Sequence, residues 1–90
     1  MPSSVETAIL NKYGFHIRPS TRFMDLARRY DSAISLECGG VVADGKSIME
    51  LMTLGAVQGA ILRITADGPD EQEALEALKS LVEDRFGGIE

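Results

Sequence analysis

The sequence predicts an α+β fold, with one four-stranded antiparallel sheet covered on one face by three helices. Three observations predict it. Short segments with period-two alternation (Val5–Leu10, Ala33–Cys38, Ala60–Ala66) read as half-buried strands. Two longer segments place apolar residues at helical spacing. The order strand, helix, strand, strand, helix, strand, helix suits a two-layer domain with one solvated sheet face. At 90 residues, one domain is expected. Such a chain buries roughly 60–70% of its unfolded surface, enough for one core but not for a core and a deep substrate cavity.

Each element has its own signal. Val5, Thr7 and Ile9 alternate with Glu6, Ala8 and Leu10 in the first strand. Asn11–Gly14 is a loop. From His16 to Tyr30 the period changes: Phe23, Leu26, Ala27 and Tyr30 share one helical face. Pro19 fits only in the first turn, which puts the helix start within a residue or two of His16. Asp31-Ser32 ends this helix. Ile34, Leu36 and Cys38 then face one way, Gly39-Gly40 marks a hairpin, and Val41–Ala43 returns.

Asp44-Gly45 leads into a short helix. There Ser47-Ile48-Met49-Glu50 has the form of a capping box, with the Ser47 hydroxyl and Glu50 carboxylate satisfying free N–H groups. This helix is expected to end near Leu54-Gly55. Ala60–Ala66 is the fourth strand, and Asp67–Asp70 combines a turn with a helix start. The last helix runs Glu71–Phe86, with Ala74, Leu75, Leu78, Leu81, Val82 and Phe86 as its apolar stripe. Gly87-Gly88 ends it.

Composition narrows the function. Nine basic residues stand against 14 acidic ones, a formal net charge of −5. Acidity argues against nucleic acid or an anionic membrane as partner. The excess is local: residues 1–69 are neutral, and residues 70–90 carry all of it. The segment around Arg18, Arg22 and Lys46 therefore remains neutral to basic, fit for acidic protein partners. One cysteine (Cys38) and one histidine (His16) exclude an internal disulfide and a zinc cluster. No metal or cofactor is expected. No apolar run approaches the roughly 20 residues of a membrane span, and no secretory signal is visible, so a cytoplasmic location is expected.

Catalytic motifs are few. The sequence has no nucleophile elbow, Walker loop or dinucleotide fingerprint. The segment Gly14-Phe15-His16-Ile17-Arg18-Pro19 stands out. A histidine at a helix N-terminus meets free N–H groups and the positive end of the helix dipole, an anion site. That positive end opposes a charge on the ring and favours the neutral nucleophile. Arg18 adds a guanidinium fork that matches a phosphate. These features describe a histidine that accepts and returns a phosphoryl group. The plain alternative is a capping or surface histidine beside a solvated arginine. Likewise Ser47 is an N-cap, although a hydroxyl there can also carry phosphate. Ile48, Met49, Leu51 and Met52 give the short helix more apolar residues than one face can bury. They serve either as an adaptable protein contact or as core filler.

Gly14–Pro19 and Gly45–Ala56 together resemble the active-site and regulatory segments of the HPr family of histidine-containing phosphocarriers, from the bacterial phosphoenolpyruvate-dependent sugar phosphotransferase system. The resemblance extends through Gln58-Gly59, Ala66–Glu71 and the last helix. It implies a single HPr domain over residues 1–90 with an open-faced β-sandwich (βαββαβα). It implies a protein that is a carrier rather than an enzyme, with His16 taking the phosphoryl group on Nδ1 from phospho-enzyme I and passing it to IIA domains of sugar permeases. Arg18 and backbone N–H groups would stabilise the group. Ser47 matches the serine modified by HPr kinase/phosphorylase. Phe15, Ile17, Ser20, Ile48, Met49, Leu51 and Met52 fall where partners dock, and a monomer is expected. Ile17, Ser20, Thr21 and Glu50 depart from the small residues usual at their positions, and Glu50 bears on partner choice. A regulatory binding module switched at Ser47, without sugar transport, is the alternative. A ferredoxin-like small-molecule sensor shares the element order but would leave both motifs without a purpose.

Overall fold

A computed structural model describes residues 2–90; the expected domain boundary at Met1 lies outside them. The elements are β1 (Ser3–Ala8), α1 (Ile17–Ala27), β2 (Ala33–Cys38), β3 (Val41–Asp44), α2 (Ile48–Leu51), β4 (Ile61–Asp67) and α3 (Glu71–Glu83), followed by a one-turn segment, Arg85–Gly88. The four strands form one antiparallel sheet in the order β1-β4-β2-β3. The register aligns the inward residues: Val5 opposes Ile64, Thr7 opposes Leu62, and Leu36 sits between Ile64 and Ala43. This pleat buries Leu36, Leu62 and Ile64 completely and sends Glu6, Arg63 and Glu37 to the solvated face.

Helices α1 and α3 close the inward face with Phe23 and Ala27 from one, and Ala74, Leu75, Leu78 and Val82 from the other. The short α2 adds Leu51. Tyr30, expected within the first helix, lies beyond its end, where Arg29 and Tyr30 bond three residues back in tighter turns. The first strand starts two residues earlier than expected because polar Ser3 and Ser4 join the ladder opposite Ala66 and Thr65. Ser4 and Thr65 share a hydroxyl–hydroxyl bond of 2.8 Å there. Gly39 and Gly40, at φ 57° and 86°, make the expected hairpin with both residues left-handed.

Two local expectations need correction. The last helix stops at Glu83, not at Phe86. Arg85, Phe86, Gly87 and Gly88 all have positive φ, from 52° to 94°, so the chain reverses hand. Phe86 is nevertheless fully buried, at φ 57°, and reaches the core from this turn. The capping box forms by half. Ser47 Oγ accepts from the Glu50 amide at 3.4 Å, but the Glu50 carboxylate accepts from the Asp44 amide at 3.1 Å. The Ser47 amide already donates to the Asp44 carbonyl.

Asp70 also does more than start a helix. Its carboxylate accepts from the Asp31 amide, the Ser32 amide and the Ser32 hydroxyl, which fastens the α1–β2 loop to the start of α3. The Ser32 hydroxyl first, then the Asp31 amide, holds the Asp70 carboxyl below its usual range.

Candidate functional site

His16 is the N-cap of α1, in extended conformation, with no side chain capping the helix. The Ser20 amide makes the first intrahelical bond, to the His16 carbonyl at 3.0 Å. Pro19 has no N–H, so the Ile17 and Arg18 amides are the free donors of the first turn. No acidic residue offsets the positive end of the helix there. The ring is half-buried, and its Nε2 is buried without a hydrogen-bond partner. Nδ1 is therefore the nitrogen left to meet an incoming group. Arg18 is exposed two residues on. Together these groups offer an accessible ring nitrogen, two free amides and a guanidinium, which suits a doubly charged phosphoryl group.

The peptide leading into His16 is held on every side. The Phe15 amide donates to the Ala56 carbonyl at 2.9 Å, and the Phe15 carbonyl accepts from Ser20 Oγ at 3.3 Å. Gly14 has φ 69°, and a Cβ there would collide with the main chain of Ala56 and Val57. The Phe15 ring packs edge-on to Phe23 at 5.9 Å and stacks on Phe86 at 5.6 Å. Asn11, which no sequence signal singled out, lies fully buried beneath the loop. Its Nδ2 donates to the Gly14 and Glu90 main-chain oxygens.

The docking residues divide. Ile17, Met49 and Met52 are exposed at 53%, 80% and 44%, and Ile48 is half-buried. Phe15, Ser20 and Leu51 are buried, which corrects their place among docking residues. They hold the surface from beneath instead of presenting one, Phe15 in the aromatic stack and Ser20 on its carbonyl. Tyr13 and Val57 are exposed on the two loops that meet at Gly14. Tyr13 was legible as an aromatic in a polar loop, whereas nothing periodic marks Val57. Ser47 is half-buried at the start of α2. Beside it the Lys46 ammonium donates to the Tyr30 carbonyl at 2.7 Å, and Arg28 Nε donates to the Lys46 carbonyl at 3.2 Å.

A groove of about 630 Å³ lies elsewhere, between β2, β3, β4 and the turn into α2. None of His16, Arg18 and Ser47 lines it. Core residues Ile34 and Ala43 line it beside the exposed Val42, together with Asp44, Lys46, Glu50 and Asp67.

Fold and site define a small open-faced sandwich that presents one histidine at a helix start, the architecture of a group carrier. The comparisons with known proteins agree. A family model described as the PTS HPr component phosphorylation site matches residues 3–84. The phosphocarrier protein HPr of Cupriavidus necator is 43% identical over 82 residues, covering 91% of this chain and 92% of that protein. A crystal structure of HPr-C-His from Thermoanaerobacter tengcongensis superposes with a TM-score of 0.90 at 40% identity, over 94% of this chain and 96% of that one. An HPr dimer from the same organism matches at a TM-score of 0.76 and 41% identity, over 92% and 95%. The chain belongs to the HPr family of phosphocarriers of the phosphotransferase system. No helix among the described residues is long and apolar enough to cross a membrane.

Proposed function

We propose that His16 is the phosphoryl acceptor and that the chain carries the group from phospho-enzyme I to IIA domains of sugar permeases. The observation that carries this reading is the chain's one histidine, capping a helix whose first free amides have no internal partner. The Nδ1 lone pair attacks phosphorus in line as the P–N bond of the donor phosphohistidine breaks. The donor ring nitrogen keeps that electron pair. The Ile17 and Arg18 amides and the Arg18 guanidinium take up charge on the peripheral oxygens. The second transfer runs the same step in reverse, onto the IIA acceptor. Ile17, Ile48, Met49 and Met52 form the docking surface, and Glu50 adds a carboxylate that tunes partner choice.

Ser47 is the regulatory phosphorylation site in this reading, modified by an HPr kinase/phosphorylase. A phosphate there adds about −1.5 to −2 charge beside the exposed methionines and weakens docking to acidic partners. The exposure of Met49 and Met52 beside Ser47 also favours a second reading, a regulatory module switched at Ser47 without sugar transport. The protein works as a cytoplasmic monomer comprising one HPr domain, since a carrier meets successive partners through one face.

The test is incubation with phosphoenolpyruvate and enzyme I. Acid-labile phosphate on His16, absent from His16→Ala, is expected. Wild type that takes no label where an authentic HPr does would end the carrier reading. Onward transfer to a IIA domain separates transport from regulation alone.

A further inference from the structure

We infer, given the carrier reading of His16, that Asn11 is a positioning residue for phosphoryl acceptance. Three observations carry this. First, Asn11 is fully buried and spends both hydrogens of Nδ2 on main-chain oxygens, Gly14 at 2.6 Å and Glu90 at 2.9 Å. Second, its Oδ1 is buried with no partner, so the amide keeps this orientation although one acceptor goes unsatisfied. Buried polar atoms without partners are rare and mark constrained sites. Third, the Gly14 carbonyl and the Phe15 amide belong to one planar peptide. Asn11 holds that peptide by its oxygen and the Ala56 carbonyl holds it by its N–H. The orientation of this plane sets where the chain enters His16.

The same clip reaches across the whole sequence. The Glu90 main-chain oxygen also accepts from the Tyr13 amide at 2.6 Å. Residues 11–14 are thus tied to Ile89–Glu90, and Ile89 is itself buried. Few side chains can replace this clip. A neutral amide gives two donors from one nitrogen. Serine gives one, leucine none, and an ionised aspartate would set acceptors against acceptors.

The experiment measures single-turnover phosphorylation of His16 by phospho-enzyme I across a range of donor concentrations, for wild type, Asn11→Ala and Asn11→Ser. A misplaced nucleophile loses rate without losing affinity. Asn11→Ala is therefore expected to lower the saturated rate about 10–100-fold and to move the half-saturating donor concentration no more than about twofold. Asn11→Ser, which keeps one donor, falls between, and it carries the test if the alanine variant does not fold. Amide exchange at Tyr13 is expected to speed up in both. Folded variants with the wild-type saturated rate would overturn the positioning role, whatever their melting temperature. Wild type that takes no label on His16 would instead remove the carrier reading, and the role of Asn11 with it.

Discussion

Phe86→Ala tests whether the aromatic cluster under the loop before His16 holds that loop in place. Phe86 is fully buried, and its ring stacks on that of Phe15, the residue before His16. Removing a buried phenyl group costs about 3–5 kcal/mol, the transfer term and the cavity together. A chain of this length has about 5–13 kcal/mol of stability in all. The variant is expected to fold at 25 °C with a small margin and to melt some 15–30 °C lower. The backbone adds a second, separable term. At φ 57° an L-residue is strained by about 1–2 kcal/mol, which glycine avoids at an entropic cost of about 0.5–1 kcal/mol. Phe86→Gly should therefore equal or slightly exceed Phe86→Ala in stability, against the order found inside a helix. Urea unfolding gives both differences, and phosphoryl acceptance at 25 °C gives the functional effect. A loss below about 1.5 kcal/mol for Phe86→Ala would refute the stack as a holding element. A glycine variant about 1 kcal/mol weaker than the alanine one would refute the left-handed turn.

Four further outcomes follow from single residues. Ser47→Ala should cost about 0.5–1 kcal/mol in urea unfolding, the weak end of an N-cap loss, because the bond to the Glu50 amide is long at 3.4 Å. Ser47→Asp should stay folded by circular dichroism yet slow transfer from enzyme I, and unchanged kinetics would remove α2 from the docking surface. Asp70→Asn should lower the melting temperature at neutral pH. The folded Asp70 carboxyl is held below its usual value, so its stabilisation is complete above the unfolded value of about 3.9 and is lost as pH falls through the lower folded one. The gap in melting temperature between wild type and Asp70→Asn should therefore narrow as pH drops below about 3.9. Gly14→Ala should disturb the site more than the fold. The new Cβ meets the main chain of Ala56 and Val57, and the predicted readout is altered amide shifts at Phe15–Arg18 with slower phosphoryl acceptance.

The elements that could be read from sequence are those set by local periodicity. Alternation sorted the strand residues into two faces because a pleat has period two whatever surrounds it. Pro19 located the start of α1 because the first turn alone tolerates a missing N–H. Phe86 shows where this reasoning fails. It falls four residues after Val82, on the apolar stripe, yet occupies that space from a left-handed turn. Spacing records that a residue is buried and not the path by which it arrives. Glu50 was misread for a related reason: its carboxylate found the Asp44 amide instead of the Ser47 amide, which a turn carbonyl already held. Phe15, Ser20 and Leu51 could not be told from Ile17, Met49 and Met52 without knowing which side faces the core. Asn11 was invisible because its partner Glu90 lies 79 residues away.

The distribution of charge and surface explains how so small a chain can handle a reactive group without a pocket. Its acidic excess lies in residues 70–90, on α3 and beyond, whereas the first turn of α1 has no acidic residue. The apolar residues near His16 stand out from the surface instead of lining a cavity. A group passed between proteins must be reached from outside by each partner in turn, so an enclosed site would obstruct transfer. The rigid part is therefore placed below: a peptide held at both ends, a buried amide and three packed rings hold the chain where it enters His16. In the proposed reading, the rest of the site, the walls that exclude water and the donor itself, arrives with the partner that covers Ile17, Met49 and Met52. Preorganisation on one side and completion from the other lets one surface serve several partners without being shaped to any single one.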